Sequence, residues 1–407
     1  MASNTLANGR LPLMLYFTGF MATASLQVVA PVVPLYFREK LDAPLELIGL
    51  LVSLLFLSSA AGKILLTLHL REKAVPNALL SGCILMALSP VLYLTAESPL
   101  QAGLVRVLHG LGFSLFSTAG LSLASIASST DKDRDRSIGF YTLALSLGLM
   151  VGPGVGSLGV RFLGLDSAFL LASAVSLSAS LSSAIMKKKM HRLPGEAEPD
   201  PEGFKASPRA MFKILMDRGF QTAFLCYLGF SIYYGAIIAY APIYLRTSYG
   251  FEADLVSLIF LFYFMVAAAG RIAIPRMLSL FKPSGMLLLG LMNVAGTAVL
   301  LYLIRSPLAA SALLILAGLS HGVIFPSAAV IVSHEAGSSP ILPAANAVYL
   351  LSFDLGTTIG PVMTSGIASS ISIQAAILAS AAPSLILILF LASYPQRRRT
   401  RGEKGIN

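Results

Sequence analysis

The two halves of this chain repeat one another at a constant offset of 208 residues. The positions that coincide are mostly glycines, prolines and acids: Pro34 and Pro242, Glu46 and Asp254, Gly82 and Gly290, Pro99 and Pro307, and Gly110 and Gly318. Glycine permits close backbone approach and proline restrains the backbone, so a shared register of both predicts one backbone path used twice. Any fold for this chain must therefore contain two similar halves.

The composition places these halves in a membrane. The 407 residues are 56% hydrophobic, with a mean hydropathy of +0.79, and only 12% are charged, against roughly 25% in soluble domains. Apolar runs of about 20 residues or more, long enough to cross a bilayer, recur along the chain. We number them span 1 to span 12, at residues 11–37, 45–70, 75–96, 99–127, 137–160, 163–186, 218–246, 253–279, 284–304, 307–333, 341–367 and 371–394.

The twelve spans predict an all-α membrane protein, because lipid offers unpaired backbone groups no hydrogen-bond partner. One long polar segment, residues 187–217, separates an N-terminal six-helix bundle at 1–186 from a C-terminal six-helix bundle at 218–407. Within this segment, Ser207 to Leu215 is expected to form a short helix on the membrane surface, with an ordinary linker as the alternative. In so apolar a chain, a duplicated path is typical of a transporter.

The net charge of +10 indicates membrane topology rather than nucleic-acid binding, because of where the charges lie. With the N-terminus inside, 21 of the 29 Lys and Arg fall on the inner side, and this asymmetry follows the positive-inside rule. We therefore expect both termini in the cytoplasm and the chain in the cell membrane. The eight exceptions are Arg38, Lys40, Arg161, Arg246 and Arg305 in outer loops, and Lys63, Arg106 and Arg271 within the membrane.

Two motifs point to a family. Span 4 contains RVLHGLG at residues 106–112, which is similar to the Arg-x-x-x-Gly-x-Gly motif of the major facilitator superfamily. Span 5 contains GLMVGPGVG at residues 148–156, which resembles the Gly-Pro-x-x-Gly signature of its drug and metabolite:proton antiporters. The resemblance covers nearly the whole chain. It implies two pseudo-symmetric six-helix bundles around a central cavity.

The second motif returns in the second half. Its members are Gly148, Gly152, Pro153 and Gly156 in span 5, and Gly356, Gly360 and Pro361 in span 11. Proline removes a backbone donor and glycine allows close contact, so we expect these two helices to bend and to pack tightly.

Asp354 is the first candidate for proton coupling. It is the only one of the 19 Asp and Glu residues that we place at mid-membrane, about 20 Å along span 11. The family packs spans 2 and 11 together, so the resemblance brings Lys63 near Asp354. We predict an ion pair that locks one access state and opens when Asp354 is protonated. The alternative is a fixed pair that only holds the two helices together.

The other buried charges and histidines admit two roles each. Arg106 is expected to bind an anionic substrate group or to donate to backbone carbonyls of span 5. His109 and His321 are either proton carriers or neutral helix contacts. Arg271, the repeat partner of Lys63, should face span 5, where it donates to helix carbonyls or extends towards the inner surface. The alternative for Arg271 is a role in substrate binding.

The family lines its cavity with spans 1, 4, 7 and 10. This lining suggests a lipophilic or amphipathic cargo rather than a sugar, although aromatic residues in membrane helices are also common packing residues. The side chains concerned are Gln27, Phe113, Phe116, Tyr227, Tyr233, Tyr234 and Phe325.

These observations together predict a secondary active transporter that works by alternating access. We expect a monomer that exports a small-molecule substrate in exchange for protons, with no cofactor, no metal and no nucleic-acid partner. The alternatives are an uptake symporter or facilitator for an organic anion anchored at Arg106, and a non-transporting membrane sensor or scaffold. We predict no enzyme, because no nucleophile triad, metal-ligand cluster or phosphate loop is evident.

Overall fold

The computed structural model describes residues 10–70, 72–126, 131–190, 208–336 and 342–393, and within them all regular structure is helical. Spans 1 to 6 are Arg10–Val29 continued by Val33–Glu39, then Leu45–His69, Val75–Tyr93, Pro99–Ile126, Asp131–Leu163 and Ser167–Met190. Spans 7 to 12 are Arg218–Tyr249, Ala253–Leu280, Pro283–Leu303, Pro307–Ala336, Leu342–Ser370, and Ile373–Ser380 followed by Ala382–Ser393. Two short elements, Glu72–Ala74 and Pro208–Leu215, lie outside the spans.

Each predicted apolar run is helical in the structure. Among the described residues, 11 helices are long and apolar enough to cross a membrane. The twelfth, Leu342–Ser370, has 29 residues, but it carries Asp354 and several Ser and Thr residues that lower its apolarity. The prediction of an all-α membrane protein with twelve spanning helices is confirmed.

The repeat is visible in the positions where helices begin. Several of these helices have proline in the first turn, which favours a helix start. The N–H groups of the first turn have no acceptor within the helix, so the lack of an N–H in proline costs nothing there. Four pairs of helices begin 208 residues apart: Arg10 and Arg218, Leu45 and Ala253, Val75 and Pro283, and Pro99 and Pro307.

Helix packing follows the same symmetry. Span 1 packs on spans 5 and 6, and its counterpart span 7 packs on spans 11 and 12. The first half contacts the second mainly through span 2 against span 11 and span 5 against span 8. The domain boundaries at 186 and 218 stay a prediction, because residues 191–207 lie outside the described ranges.

The structure is closed on one side. We call the side that holds Met190 and Pro208 the linker side, and the opposite one the far side. Span 7 is buried at every residue from Ser231 to Leu245, towards the far side, whereas exposed positions recur nearer the linker side. At the far end Arg246 Nε lies 2.9 Å from Glu39 Oε1, joining span 7 to span 1.

The spacing of glycines that is repeated in the two halves brings backbones into direct contact. A Cβ on Gly148 or Gly152 would lie 2.5 Å from the carbonyl oxygen of Phe20 or Ala24 in span 1, and Gly156 lies equally close to Val28. Gly356 and Gly360 meet the carbonyls of Leu228 and Ile232 in span 7 in the same way. Both helices continue through Pro153 and Pro361. The motif therefore provides close packing, and bending at these prolines stays a prediction.

The predicted short helix is present at Pro208–Leu215. Phe212 is 65% exposed whereas Ile214 is buried, so the helix keeps an apolar exposed face. Its position on a membrane surface stays a prediction, and Ser207 lies outside the described residues.

Replacing Gly152 by alanine should lower the melting temperature of the purified protein. The new methyl group would overlap Ala24 O and Gln27 Cβ, which lie 2.5 and 2.6 Å from the added atom, and overpacking costs about 1–3 kcal/mol. The matched control is Gly296→Ala in span 9, where nothing lies within 4 Å and alanine favours the helix. Equal melting temperatures for the two variants would contradict this account of the packing.

Candidate functional site

An ion pair connects the two halves. Lys63 Nζ of span 2 lies 2.7 Å from Asp354 Oδ2 of span 11, and Ser59 Oγ donates to the same oxygen at 3.4 Å. Ser59 and Lys63 are one helical turn apart and so share a face. Asp354 is completely buried, whereas Lys63 keeps 21% of its side chain exposed. The cation therefore keeps some accessible surface, whereas the carboxylate has none.

Aromatic rings surround this pair. The Lys63 ammonium lies 5.1 Å from the ring centre of Phe113, and Phe56 and Phe353 form an edge-to-face contact between spans 2 and 11 at 6.1 Å. Few waters can approach, so the charge-assisted hydrogen bond is stronger than it would be in bulk solvent. Asp354 Oδ1 has no hydrogen-bond partner among the described residues. The carboxyl group thus has one oxygen available to carry a proton.

Arg106 is tied to backbone. Its Nε donates to Leu51 O at 3.2 Å and its Nη2 to Val52 O at 2.9 Å, and only 5% of the residue is exposed. We expected Arg106 to donate either to an anionic substrate group or to backbone carbonyls of span 5. It does donate to backbone carbonyls, but these belong to span 2. Much of the hydrogen-bonding capacity of this guanidinium is used in holding span 4 against span 2.

A small cavity lies next to Arg106. Its empty space, including the open mouth, is about 400 Å³. Spans 1, 2, 4 and 7 supply its walls, which are mostly apolar. The residues that line it are Leu26, Gln27, Ala30, Val33, Pro34, Val52, Leu55, Phe56, Arg106, Tyr234 and Ile238.

The predicted lining residues divide into two groups. Gln27 and Tyr234 reach this cavity together with Arg106. Tyr233 does not, because its hydroxyl lies 3.0 Å from Thr297 Oγ1 in span 9. Phe116 is buried against span 3, where its backbone nitrogen lies beside Gly82.

A larger aromatic cluster fills the linker side of the second half. Its members come from spans 7, 8, 10 and 11, and neighbouring rings lie 4.9 to 6.2 Å apart. Tyr227 stacks on Tyr349 at 4.9 Å, and Tyr234 meets His321 edge to face at 5.0 Å. The cluster consists of Tyr227, Phe230, Tyr234, Tyr263, Phe264, His321, Phe325, Tyr349 and Phe353.

Sequence reasoning missed Tyr263, Phe264, Tyr349 and Phe353, because spans 8 and 11 were not counted as cavity-lining. One signal was available: Tyr349 and Phe353 are four residues apart and so lie on one helix face, next to Asp354.

The two histidines lie in apolar surroundings. His109 is fully buried 6.3 Å from the ring of Tyr93, and neither ring nitrogen has a partner in the described part of the chain. His321 is 4% exposed inside the aromatic cluster. A proton-carrying role for either stays a prediction.

Arg271 faces span 5, as its repeat relation to Lys63 suggests. Its Nη1 donates to Ser146 Oγ at 2.6 Å, and its guanidinium carbon lies 5.5 Å from the ring centre of Phe325. The partner is a hydroxyl group rather than the helix carbonyl that we expected.

Comparison with known proteins gives consistent results. A family model described as Major Facilitator Superfamily matches residues 15–341. The human chromaffin granule amine transporter is 30% identical over 138 residues, which are 34% of this chain and 24% of that protein. The synaptic vesicular amine transporter of Rattus norvegicus is 29% identical over 130 residues, 31% of this chain and 25% of the relative. The matches thus span about a quarter of these curated relatives.

Solved structures resemble the fold over nearly the full length. The nucleoside transporter NupG has a TM-score of 0.70 at 15% identity, covering 95% of this chain and 100% of that one. The peptide transporter POT in complex with alafosfalin has a TM-score of 0.75 at 14% identity, covering 96% of both chains. At such identities the likeness concerns the fold alone.

The strength of the Lys63–Asp354 pair can be measured with a double-mutant cycle. Lys63→Ala should lower the free energy of unfolding by about 3–5 kcal/mol, because it leaves the fully buried Asp354 carboxylate without its cation. Asp354→Ala should cost less, because Lys63 keeps 21% of its side chain exposed. The double variant should lose much less than the sum. The control is the pair Lys40–Asp166, 3.7 Å apart and 53% exposed on both sides, whose coupling should stay below about 1 kcal/mol. A coupling no larger for Lys63–Asp354 would show that this pair contributes little.

Proposed function

This chain belongs to the Major Facilitator Superfamily, and from that premise we propose that it exports small lipophilic or amphipathic compounds in exchange for protons. The coarser statement, that it is a transporter, follows from the family and from transporters of the same fold. We further propose alternating access, with residues 1–186 and 218–407 moving as two bundles joined by the linker 187–217. The protein would act as a monomer in the cell membrane, with both termini in the cytoplasm.

The observation that carries the proton coupling is the buried pair across the interface. Lys63 belongs to the first half and Asp354 to the second, 2.7 Å apart. While Asp354 is ionised, separating spans 2 and 11 would expose an unpaired charge to an apolar environment, at a cost of several kcal/mol. Protonation of Asp354 removes that cost. Proton binding and movement of the two halves are thereby linked.

The proposed cargo class rests on the cavity walls. Apolar and aromatic side chains with a few polar tips, among them Gln27 and Tyr234, suit lipophilic or amphipathic molecules. Tyr234 also belongs to the aromatic cluster, so several rings lie directly behind this wall of the cavity. Rings can accommodate flat apolar groups of different shapes, because stacking needs no specific hydrogen bond.

The amine transporters among the relatives suggest a cationic cargo as a second candidate. The charges argue against it. Asp354 is paired with Lys63, and Arg106 and Arg271 have no acidic partner within the described part of the chain. The spanning segments hold more positive than negative charge, so a neutral, zwitterionic or anionic amphiphile is favoured. Uptake of an organic anion remains the alternative, and transport direction separates it from export.

Asp354→Asn should abolish transport driven by a pH gradient while leaving exchange at equal pH. The amide cannot release a proton, so the pair would no longer change with pH. The measurement uses purified protein in proteoliposomes with labelled neutral, zwitterionic and anionic amphiphiles, in both membrane orientations. The control is Asp166→Asn, an exposed acid on the far side, which should keep the gradient dependence. Unchanged gradient-driven transport by Asp354→Asn would refute coupling at this residue.

A further inference from the structure

The repeat places two cation sites at equivalent positions, and they differ in one partner. Lys63 and Arg271 are 208 residues apart, and so are Ser146 and Asp354. Lys63 therefore meets a carboxylate from span 11, whereas Arg271 meets a hydroxyl group from span 5. The backbone arrangement is the same in both halves, but among the described residues only one of the two cations has a counter-charge.

Arg271 is a guanidinium that the described protein does not neutralise. No Asp or Glu oxygen among the described residues forms an ion pair with it. Its Nη1 donates to Ser146, and its buried Nε has no hydrogen-bond partner in the described ranges. A neutral hydroxyl supplies a hydrogen bond but no charge. A cation within a spanning segment is costly unless it is paired or hydrated, so this site requires an anion or water from outside the chain.

The surroundings of Arg271 are suited to an organic anion. The guanidinium lies 5.5 Å from the ring centre of Phe325, which in turn contacts Tyr227 and Tyr349. Arg271 and Ser146 are both partly exposed, whereas Asp354 is fully buried. This pair is therefore not sealed off from its surroundings as Asp354 is.

We propose that Arg271 and Ser146 bind the anionic head group of the cargo, a carboxylate or another singly charged oxyanion. The planar guanidinium presents several donors to such a group. The apolar part of the cargo then lies over Phe325 and Tyr227. Arg106 is not this anchor, because its Nε and Nη2 already donate to carbonyls of span 2. The inference rests on the proposed function only in taking the bound molecule to be cargo.

The test compares a charged probe with its neutral analogue. The melting temperature of the purified protein is measured against increasing 4-phenylbutyrate and, separately, 4-phenylbutyramide. We expect the carboxylate to stabilise the parent protein and the amide to do so at least tenfold less strongly. No stabilisation of the parent protein by the carboxylate, or equal stabilisation by both probes, would overturn the proposal.

Ser146→Asp is the decisive variant, because it builds in the second half the acid that Asp354 supplies in the first. The new carboxylate should pair with Arg271, raise the melting temperature without ligand, and abolish the response to 4-phenylbutyrate. The matched control Ser146→Ala removes one hydrogen bond but adds no charge, and it should keep the response. A Ser146→Asp protein that still responds as the parent does would refute the site.

A second variant keeps the proposal testable if the Ser146→Asp protein does not fold. Arg271→Gln should weaken the apparent affinity for 4-phenylbutyrate at least tenfold. Its control is Arg161→Gln, which removes an exposed arginine that lies over Phe162. Arg161 is at the far end of span 5, the span that holds Ser146, and the response to 4-phenylbutyrate should be unchanged. Equal losses in both variants would show that only overall charge matters. These readouts need no pH gradient, so they can fail while proton-coupled transport stands, and they can succeed if transport is not proton-coupled.

Discussion

The contact between Lys63 and Asp354 is the interaction on which the relation between the two halves depends. A carboxylate that is fully buried stays ionised only while a cation remains beside it. Under the proposed coupling, spans 2 and 11 stay together as long as Asp354 is charged. Elsewhere in that interface Ser53 Oγ donates to Thr358 O at 2.8 Å, and Phe56 meets Phe353 edge to face. The ionisation state of one residue thus bears on a whole helix interface.

Close glycine contacts explain why movement would be confined to such interfaces. Span 5 lies against span 1, and span 11 against span 7, with backbone carbonyls filling the space that side chains would occupy. Interfaces of this kind leave little freedom for sliding, because any displacement produces overlap. Each half is then expected to move as a unit. Both cations within the spans at these interfaces, Lys63 and Arg271, lie where the two units meet.

The symmetry of the backbone and the asymmetry of the charges have separate consequences. Equivalent helices begin 208 residues apart, so the two interfaces, spans 2 with 11 and spans 5 with 8, have the same form. Their chemistry differs because position 146 is Ser and position 354 is Asp. His321 likewise takes the position of Phe113. One interface holds a closed ion pair, and the other holds a cation beside an aromatic surface. A division into a coupling site and a binding site follows naturally from this difference.

The sequence alone determined the helices, their order and their duplication. Hydropathy and glycine and proline positions are local properties, and the spans begin within a few residues of the predicted points. It also singled out Asp354, because an isolated acid in an apolar run is visible without any structure. The hydrogen-bond partners of the side chains could not be predicted in this way. Only the tertiary structure decided that Tyr233 bonds Thr297, that Arg106 bonds carbonyls of span 2, and that Ser146 bonds Arg271. These helices are apolar on all sides, so no hydrophobic face indicates their rotation. The direction in which a side chain points is therefore settled only when the neighbouring helices pack.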